Sequence, residues 1–216
     1  MQMFRISRLA TVVMVTGALS IIPLAALAFS MFHISALGRF TEIISDTIAT
    51  KQGGVLILGD SIALQSGLPP ACASRSLNVS VGGIGALRAS IVARFVVPIA
   101  KPSRAIVAIG VNDVGGFRTI SDELFRSRYH ALLDSTGASL YALSAILPVE
   151  TDKITIVDPA RIATTNRFIR EEARRRSVHY IAPPANVRGL TTDGLHLNAA
   201  GHQMWQKRIE PFCSAL

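Results

Sequence analysis

Five short apolar, β-branched runs punctuate the chain from residue 53 onward, at Val55 to Leu58, Leu77 to Val81, Ala105 to Ile109, Leu140 to Leu147 and His179 to Ala182. Between and after them apolar residues recur at helical spacing, over Ala86 to Val97, Ser121 to Ser135, Ala160 to Ser177 and Ala199 to Ile209. Strands that are apolar without alternation suit burial on both faces, and strands separated by helices pair in parallel. The pattern therefore predicts an α/β fold with a central parallel sheet covered on both sides, in which ligands meet the carboxyl ends of the strands. At 216 residues there is room for one such domain and not for two of ordinary size. No repeat or low-complexity tract interrupts it.

The N-terminus has a different character. No charged residue occurs between Arg8 and Arg39, and Leu9 to Phe32 is a 24-residue run whose polar members are all hydroxyl residues. About 20 apolar residues span a bilayer as a helix, whereas a signal-peptide core is usually about 7 to 15. Length favours a retained hydrophobic helix over residues 1–32. Ala26-Leu27-Ala28 nevertheless offers a small-x-small cleavage site, and Pro23 is able to end a shorter core. Either way Arg5 and Arg8 before the span place the rest of the chain outside the cytoplasm, anchored in the inner membrane and facing the periplasm, or free in the periplasm or secreted after cleavage. Residues 33–52 read as a linker or first helix, and 53–216 as the domain.

There are two cysteines, Cys72 and Cys213. An oxidising compartment would let them pair, and two buried thiols are the alternative, because sequence does not supply the Cα separation that a disulfide requires. No CxxC or His/Cys cluster suggests a metal site, and no cofactor motif is present. The formal charge is +8. Its densest basic stretch, Arg167 to Ser177, puts Arg167, Arg170 and Arg174 on one helical face with Glu171 and Glu172 beside them, which reads as a solvated face, with attraction to anionic lipid or acidic polysaccharide as the alternative. Few aromatics and an export signal argue against a nucleic-acid partner.

Chemistry should gather at the strand ends, and four polar stretches lie there. Gly59-Asp60-Ser61 ends the first strand, and Gly82-Gly83-Ile84-Gly85 follows the second. Asn112 and Asp113 follow the third, while Asp193 and His196 come after the fifth. Taken alone, Ser61 is a helix cap and Asn112-Asp113 a turn. Together they hold the parts of an acyl-transfer site. A serine hydroxyl needs a neutral imidazole to take its proton, and the imidazole needs an acceptor on its other nitrogen to fix its tautomer. His196 with Asp193 three residues before it meets that need, facing Ser61. The N–H groups of Ser61 and Gly82 and the Asn112 carboxamide are placed to receive the oxyanion, and Gly82 lets backbone approach the substrate.

On "GDSI" at 59–62, Gly82, "GVND" at 110–113 and "DGLH" at 193–196, the sequence resembles the SGNH or GDSL hydrolases from about Val55 to the C-terminus. The resemblance implies a flavodoxin-like three-layer α/β/α sandwich and ester or thioester hydrolysis. It carries over Ser61 as nucleophile, His196 as base, Asp193 as its orienting partner, and Ser61, Gly82 and Asn112 as the oxyanion hole. Ile62 stands where the family usually has leucine. The G-x-S-x-G elbow of α/β-hydrolases fits less well, since Ala63 occupies its second glycine. His202, His130, His179 and His33 read as structural or surface residues.

The expected function is a serine esterase that hydrolyses an acyl ester of a lipid or cell-surface glycan on the extracytoplasmic side. An O-acyltransferase to a sugar hydroxyl with the same triad and a non-catalytic glycan-binding protein with the fold are the alternatives. The expected partners are a small-molecule, lipid or glycan ester, and the membrane if the N-terminal segment is retained.

Overall fold

A computed structural model describes residues 38–39, 41–47, 52–115 and 119–213. The apolar segment 9–32, read above as anchor or signal peptide, lies outside the described residues. Among the described residues no helix is long and apolar enough to cross a membrane. The chain divides into units Met1–Glu42 and Ile43–Leu216. In the first, Arg39 pairs with Glu42 at 2.8 Å; the second contains every element below.

Five parallel strands form one sheet in the order β2-β1-β3-β4-β5, with β1 at Val55–Gly59, β2 at Ser76–Asn78, β3 at Arg104–Ala108, β4 at Leu140–Ser144 and β5 at His179–Ile181. All five residues of β1 are buried, as a central strand covered on both faces requires. The helices are α1 (Ser61–Ser66), α2 (Ala86–Ala100), α3 (Val111–Val114), α4 (Asp122–Thr136), α5 (Pro159–Arg175) and α6 (Ala199–Cys213). The connection from β1 runs outward to β2, and the next crosses back over β1 to β3. Right-handed crossovers therefore send α1 to one face and α2, α4 and α5 to the other. Packing of α1 on α6 and of α2 on α4 fits this division. The result is the expected three-layer α/β/α sandwich. The strand order reverses between β1 and β3, and a ligand crevice belongs at their carboxyl ends.

The boundaries differ from the sequence reading where side chains compete for backbone groups. The second strand was expected over Leu77 to Val81, but β2 ends at Asn78, whose Oδ1 accepts from the Ser80 N–H at 3.0 Å. The fourth was expected to reach Leu147. It stops at Ser144 because Asn166 of α5 takes both backbone groups of Ile146, each at 2.8 Å. Helix α2 runs past Val97 through Pro98 and closes on Lys101, whose left-handed backbone (φ 42) donates its N–H to Val97 O. Ser121 caps α4, and Asp158 caps α5 ahead of Pro159.

Cys72 and Cys213 form a disulfide with their Cα atoms 5.5 Å apart, tying the end of α6 to the segment after α1. The arginine-rich face of α5 also needs one correction. Glu172, read as part of a solvated face, is buried; it pairs with Arg175 and Arg176 and lies 3.1 Å from His130 of α4. Sequence periodicity missed this because the partners of Glu172 come partly from another helix. His179 packs its ring against Tyr141 and Phe212.

Candidate active site

Strand β1 delivers Asp60 and Ser61 to the crevice. At Gly59 the chain turns so tightly that a Cβ would collide with Ala63 and Ser80, so only glycine fits this corner. Asp60 caps α1, accepting the Ile62 N–H at 3.0 Å. Ser61 is the first residue of α1, and its own N–H has no intrahelical acceptor. Asp60 is buried, and desolvation pushes its carboxyl up to about 7 against the opposing pull of the Ile62 N–H.

Between β5 and α6 the chain forms a compact loop. Thr191 and Leu197 bridge antiparallel, and the Thr192 N–H donates to His196 O at 2.8 Å. Gly194 adopts φ 93, a left-handed turn that suits glycine, and it packs so closely on Ile154 and Glu150 O that a side chain would not fit. The Asp193 Oδ1 accepts the N–H groups of Leu195 and His196 at 3.0 and 2.7 Å, which folds its side chain back over the turn.

These two regions meet. Ser61 Oγ lies 3.1 Å from His196 Nε2, and His196 Nδ1 lies 2.7 Å from Asp193 Oδ2. Desolvation would raise the Asp193 carboxyl, but hydrogen bonds from the His196 ring and from the two backbone N–H groups outweigh it and hold the carboxyl at about 2. An ionised carboxylate only accepts, so Nδ1 carries the proton and Nε2 is left to accept from the Ser61 hydroxyl.

Gly82 and Asn112 border the same edge. A Cβ on Gly82 would come no nearer than 4.0 Å to any protein atom, the atom being Leu64 Cδ2 of α1. The Asn112 Nδ2 donates to Ile84 O at 3.1 Å, joining α3 to the Gly82–Gly85 loop. Its second N–H has no hydrogen-bond acceptor among the described residues. Asp113, adjacent in sequence, is buried and caps α2 by accepting the Ala86 N–H at 2.8 Å. Burial raises its carboxyl in spite of that bond. A cleft of about 270 Å³ opens beside Asn112, lined among others by Gly83, Leu87, Arg88 and Arg128.

Sequence reasoning missed one group that shapes the site. Glu150, in the connection after β4, is buried, and its Oε1 accepts from the Thr191 hydroxyl at 2.5 Å and the Thr191 N–H at 3.1 Å. Lys153 pairs with it at 3.0 Å and donates to Thr191 O, while the Glu150 N–H donates to Gly194 O at 2.9 Å. The Thr191 hydroxyl holds the Glu150 carboxyl at about 2, against desolvation and with help from Lys153. This brace grips the loop that carries Asp193 and His196. The one sequence signal was an acid closing the apolar run Leu143 to Val149; its partner is 41 residues away. His202 takes up a structural place, 2.9 Å from Ser66 Oγ at the end of α1. Among the described residues no group of His, Cys, Asp and Glu is arranged to hold a metal ion.

Residues 57–204 match the GDSL-like lipase/acylhydrolase family, and the chain belongs to it. It is accordingly a hydrolase of ester bonds. No curated protein matches the sequence. Among solved structures it is similar to a GDSL-like lipase from Bacteroides thetaiotaomicron, at 16% identity and a TM-score of 0.68, over 81% of this chain and 96% of that one. A lipase/acylhydrolase from Enterococcus faecalis is 17% identical over 74% of this chain and 95% of its own, with a TM-score of 0.65. An acetylxylan esterase from Geobacillus stearothermophilus, solved as a catalytic mutant, is 13% identical over 75% of this chain and 94% of its own, with a TM-score of 0.61. At these identities the likeness is one of fold.

Proposed function

We propose that the chain is a serine esterase that cleaves an acyl ester of a lipid or cell-surface glycan outside the cytoplasm, with Ser61 as nucleophile, His196 as general base and Asp193 as the group that orients it. The observation that carries this reading is the continuous hydrogen-bonded path from Ser61 Oγ through the His196 ring to Asp193 Oδ2. Ser61 attacks the ester carbonyl as Nε2 takes its proton, and Asp193 stabilises the resulting imidazolium. The tetrahedral oxyanion is received by the N–H groups of Ser61 and Gly82 and by the second N–H of Asn112. Nothing in the protein's own packing demands glycine at 82, which fits a requirement set by a substrate approaching the backbone there. His196 then gives its proton to the leaving alcohol, and water, activated by the same imidazole, releases the acyl group from Ser61.

For location, the support is Arg5 and Arg8 ahead of the apolar run 9–32, together with the Cys72–Cys213 disulfide, a bond suited to an oxidising compartment. The related lipases and the acetylxylan esterase cover both proposed alcohols, lipid and glycan. The test is hydrolysis of a small activated acetyl ester. Ser61→Ala is expected to lower turnover to the uncatalysed background with the thermal melt unchanged, and undiminished turnover would remove Ser61 from the nucleophile's role.

A further inference from the structure

Helix α2 carries apolar residues on both its inner and its outer face. Its inner face buries Ala86, Ala89, Val92, Ala93, Val96 and Ala100 against the domain. Its outer face carries Leu87, Ile91, Phe95 and Ile99, which are 46, 49, 60 and 46% exposed. These are four of the seven large hydrophobic residues exposed among the described residues, so the exposure is concentrated on one element. At i, i+4 spacing they form a stripe about 18 Å long, and Pro98 is exposed with them. The same face holds Arg88 and Arg94, Lys101 is exposed at its end, and α2 has no acidic residue. An apolar face with basic residues and no acid is the composition of a helix lying in the interface of an anionic bilayer.

We infer that the outer face of α2 docks the domain onto an anionic membrane surface. The stripe is continuous with the site at one end, because Leu87 and Arg88 line the cleft beside Asn112. Its other end adjoins the segment that leads into β1, since the Gly53 N–H donates to Lys101 O at 3.1 Å. Phe32, the last residue of the apolar run, precedes Ile43, the first residue of the folded unit, by 11 residues, so a segment held in the bilayer would keep the domain within reach of it. Tethering at that distance raises the effective concentration of the membrane enough for a modest stripe to engage it. A second copy of the chain fits less well. The apolar area is on the order of a few hundred Å², below the roughly 800 Å² per partner of a stable interface. Docked in this way, the domain takes its ester from the interface at the N-terminal end of α2. The inference rests on the esterase reading above and on retention of the apolar run 9–32, and it narrows the substrate to esters of amphiphiles resident in the membrane.

The experiment uses the full chain reconstituted into vesicles of phosphatidylcholine and phosphatidylglycerol in equal parts, with brominated acyl chains as quenchers. Trp205 is the chain's one tryptophan and is buried, which provides the background. Phe95→Trp emission is expected to be quenched well beyond that background, whereas Lys207→Trp, on α6 across the sheet, is not. Equal quenching of the two, or none, overturns the docking, whatever the state of the active site. In the same vesicles the double variant Ile91→Glu, Phe95→Glu is expected to lose about tenfold in turnover of a vesicle-borne long-chain ester, while turnover of a soluble acetyl ester changes less than about twofold. Failure of wild-type protein to turn over either ester counts against the esterase reading and leaves the quenching result to decide the docking. A dimer in detergent that the double variant abolishes, without quenching of Phe95→Trp, assigns the face to a second copy and overturns the proposal.

Discussion

Ser61 and His196 sit 3.1 Å apart, yet the two regions that bring them there are built on opposite principles. The corner after β1 is fixed by burial: a fully buried strand, a glycine that no other residue can replace, and an aspartate kept out of water so thoroughly that its carboxyl rises to about 7. The loop before α6 is half exposed and is fixed by hydrogen bonds. Its aspartate is held at about 2, and its backbone is gripped by the buried Glu150 through Thr191 and Gly194. The difference teaches where each half is vulnerable. The Ser61 side depends on shape, while the His196 side depends on a few polar contacts that a single side chain can remove.

The largest effect should come from the chemistry that both halves serve. Asn112→Ala leaves the buried corner in place and deletes the proposed oxyanion donor, so kcat is expected to fall about 10²- to 10³-fold with KM little changed. A loss below about threefold in steady-state assays would take Asn112 out of that role. The comparison is sharpened by Glu150→Gln, which keeps the size of the side chain and removes its charge. It loosens the loop beneath His196, and kcat is expected to drop roughly tenfold or more. KM and the melting temperature should move far less, and Glu150→Asp should recover part of the loss. Equal losses in kcat and stability for all Glu150 variants would reduce the brace to a packing role.

The smallest effect probes the buried half through pH. In the folded protein the Asp60 carboxyl keeps its proton up to about 7, whereas its ordinary value is 3.8. Between those values the folded state binds a proton that the unfolded chain releases, so stability from this group is fully present below 3.8 and is lost as pH rises toward 7. Asp60→Asn preserves a capping acceptor and removes the titration. Its melting temperature is expected to gain on wild type by a few degrees between pH 4 and 7, with a constant difference above that. A difference independent of pH would show that Asp60 is ionised throughout. Asp193 carries the opposite sign: its depressed value gives stability present above 3.8 and lost as pH falls toward 2.

The same contrast governs how much the sequence reveals. The strand Val55–Gly59 and the serine after it are legible because uninterrupted apolar runs and glycine punctuation are local signals, and local signals specify buried elements. The spacing of Asp193 and His196 is local too, so the pair is readable within one turn. The brace from Glu150 is not, since a glutamate in a connecting segment looks like any surface acid until the fold brings Thr191 to it. The strand ends at Asn78 and Ser144 are illegible in the sequence for a related reason. Side-chain amides captured backbone groups there, in one case from a helix 20 residues on. The exposed stripe on α2 lies between these cases. Its hydrophobic residues are plain in the sequence, but a helix with apolar residues on both faces leaves the inner face hard to tell from the outer.

The proposed chemistry needs the hydroxyl of Ser61 to be made nucleophilic by the path through His196 to Asp193. This property is tested most directly by treating the full chain with a fluorophosphonate and locating the adduct by peptide mass spectrometry. One stoichiometric adduct is expected on Ser61, formed far more slowly in His196→Ala and absent in Ser61→Ala. An unlabelled Ser61 in folded wild-type protein, or labelling that does not depend on His196, would contradict it.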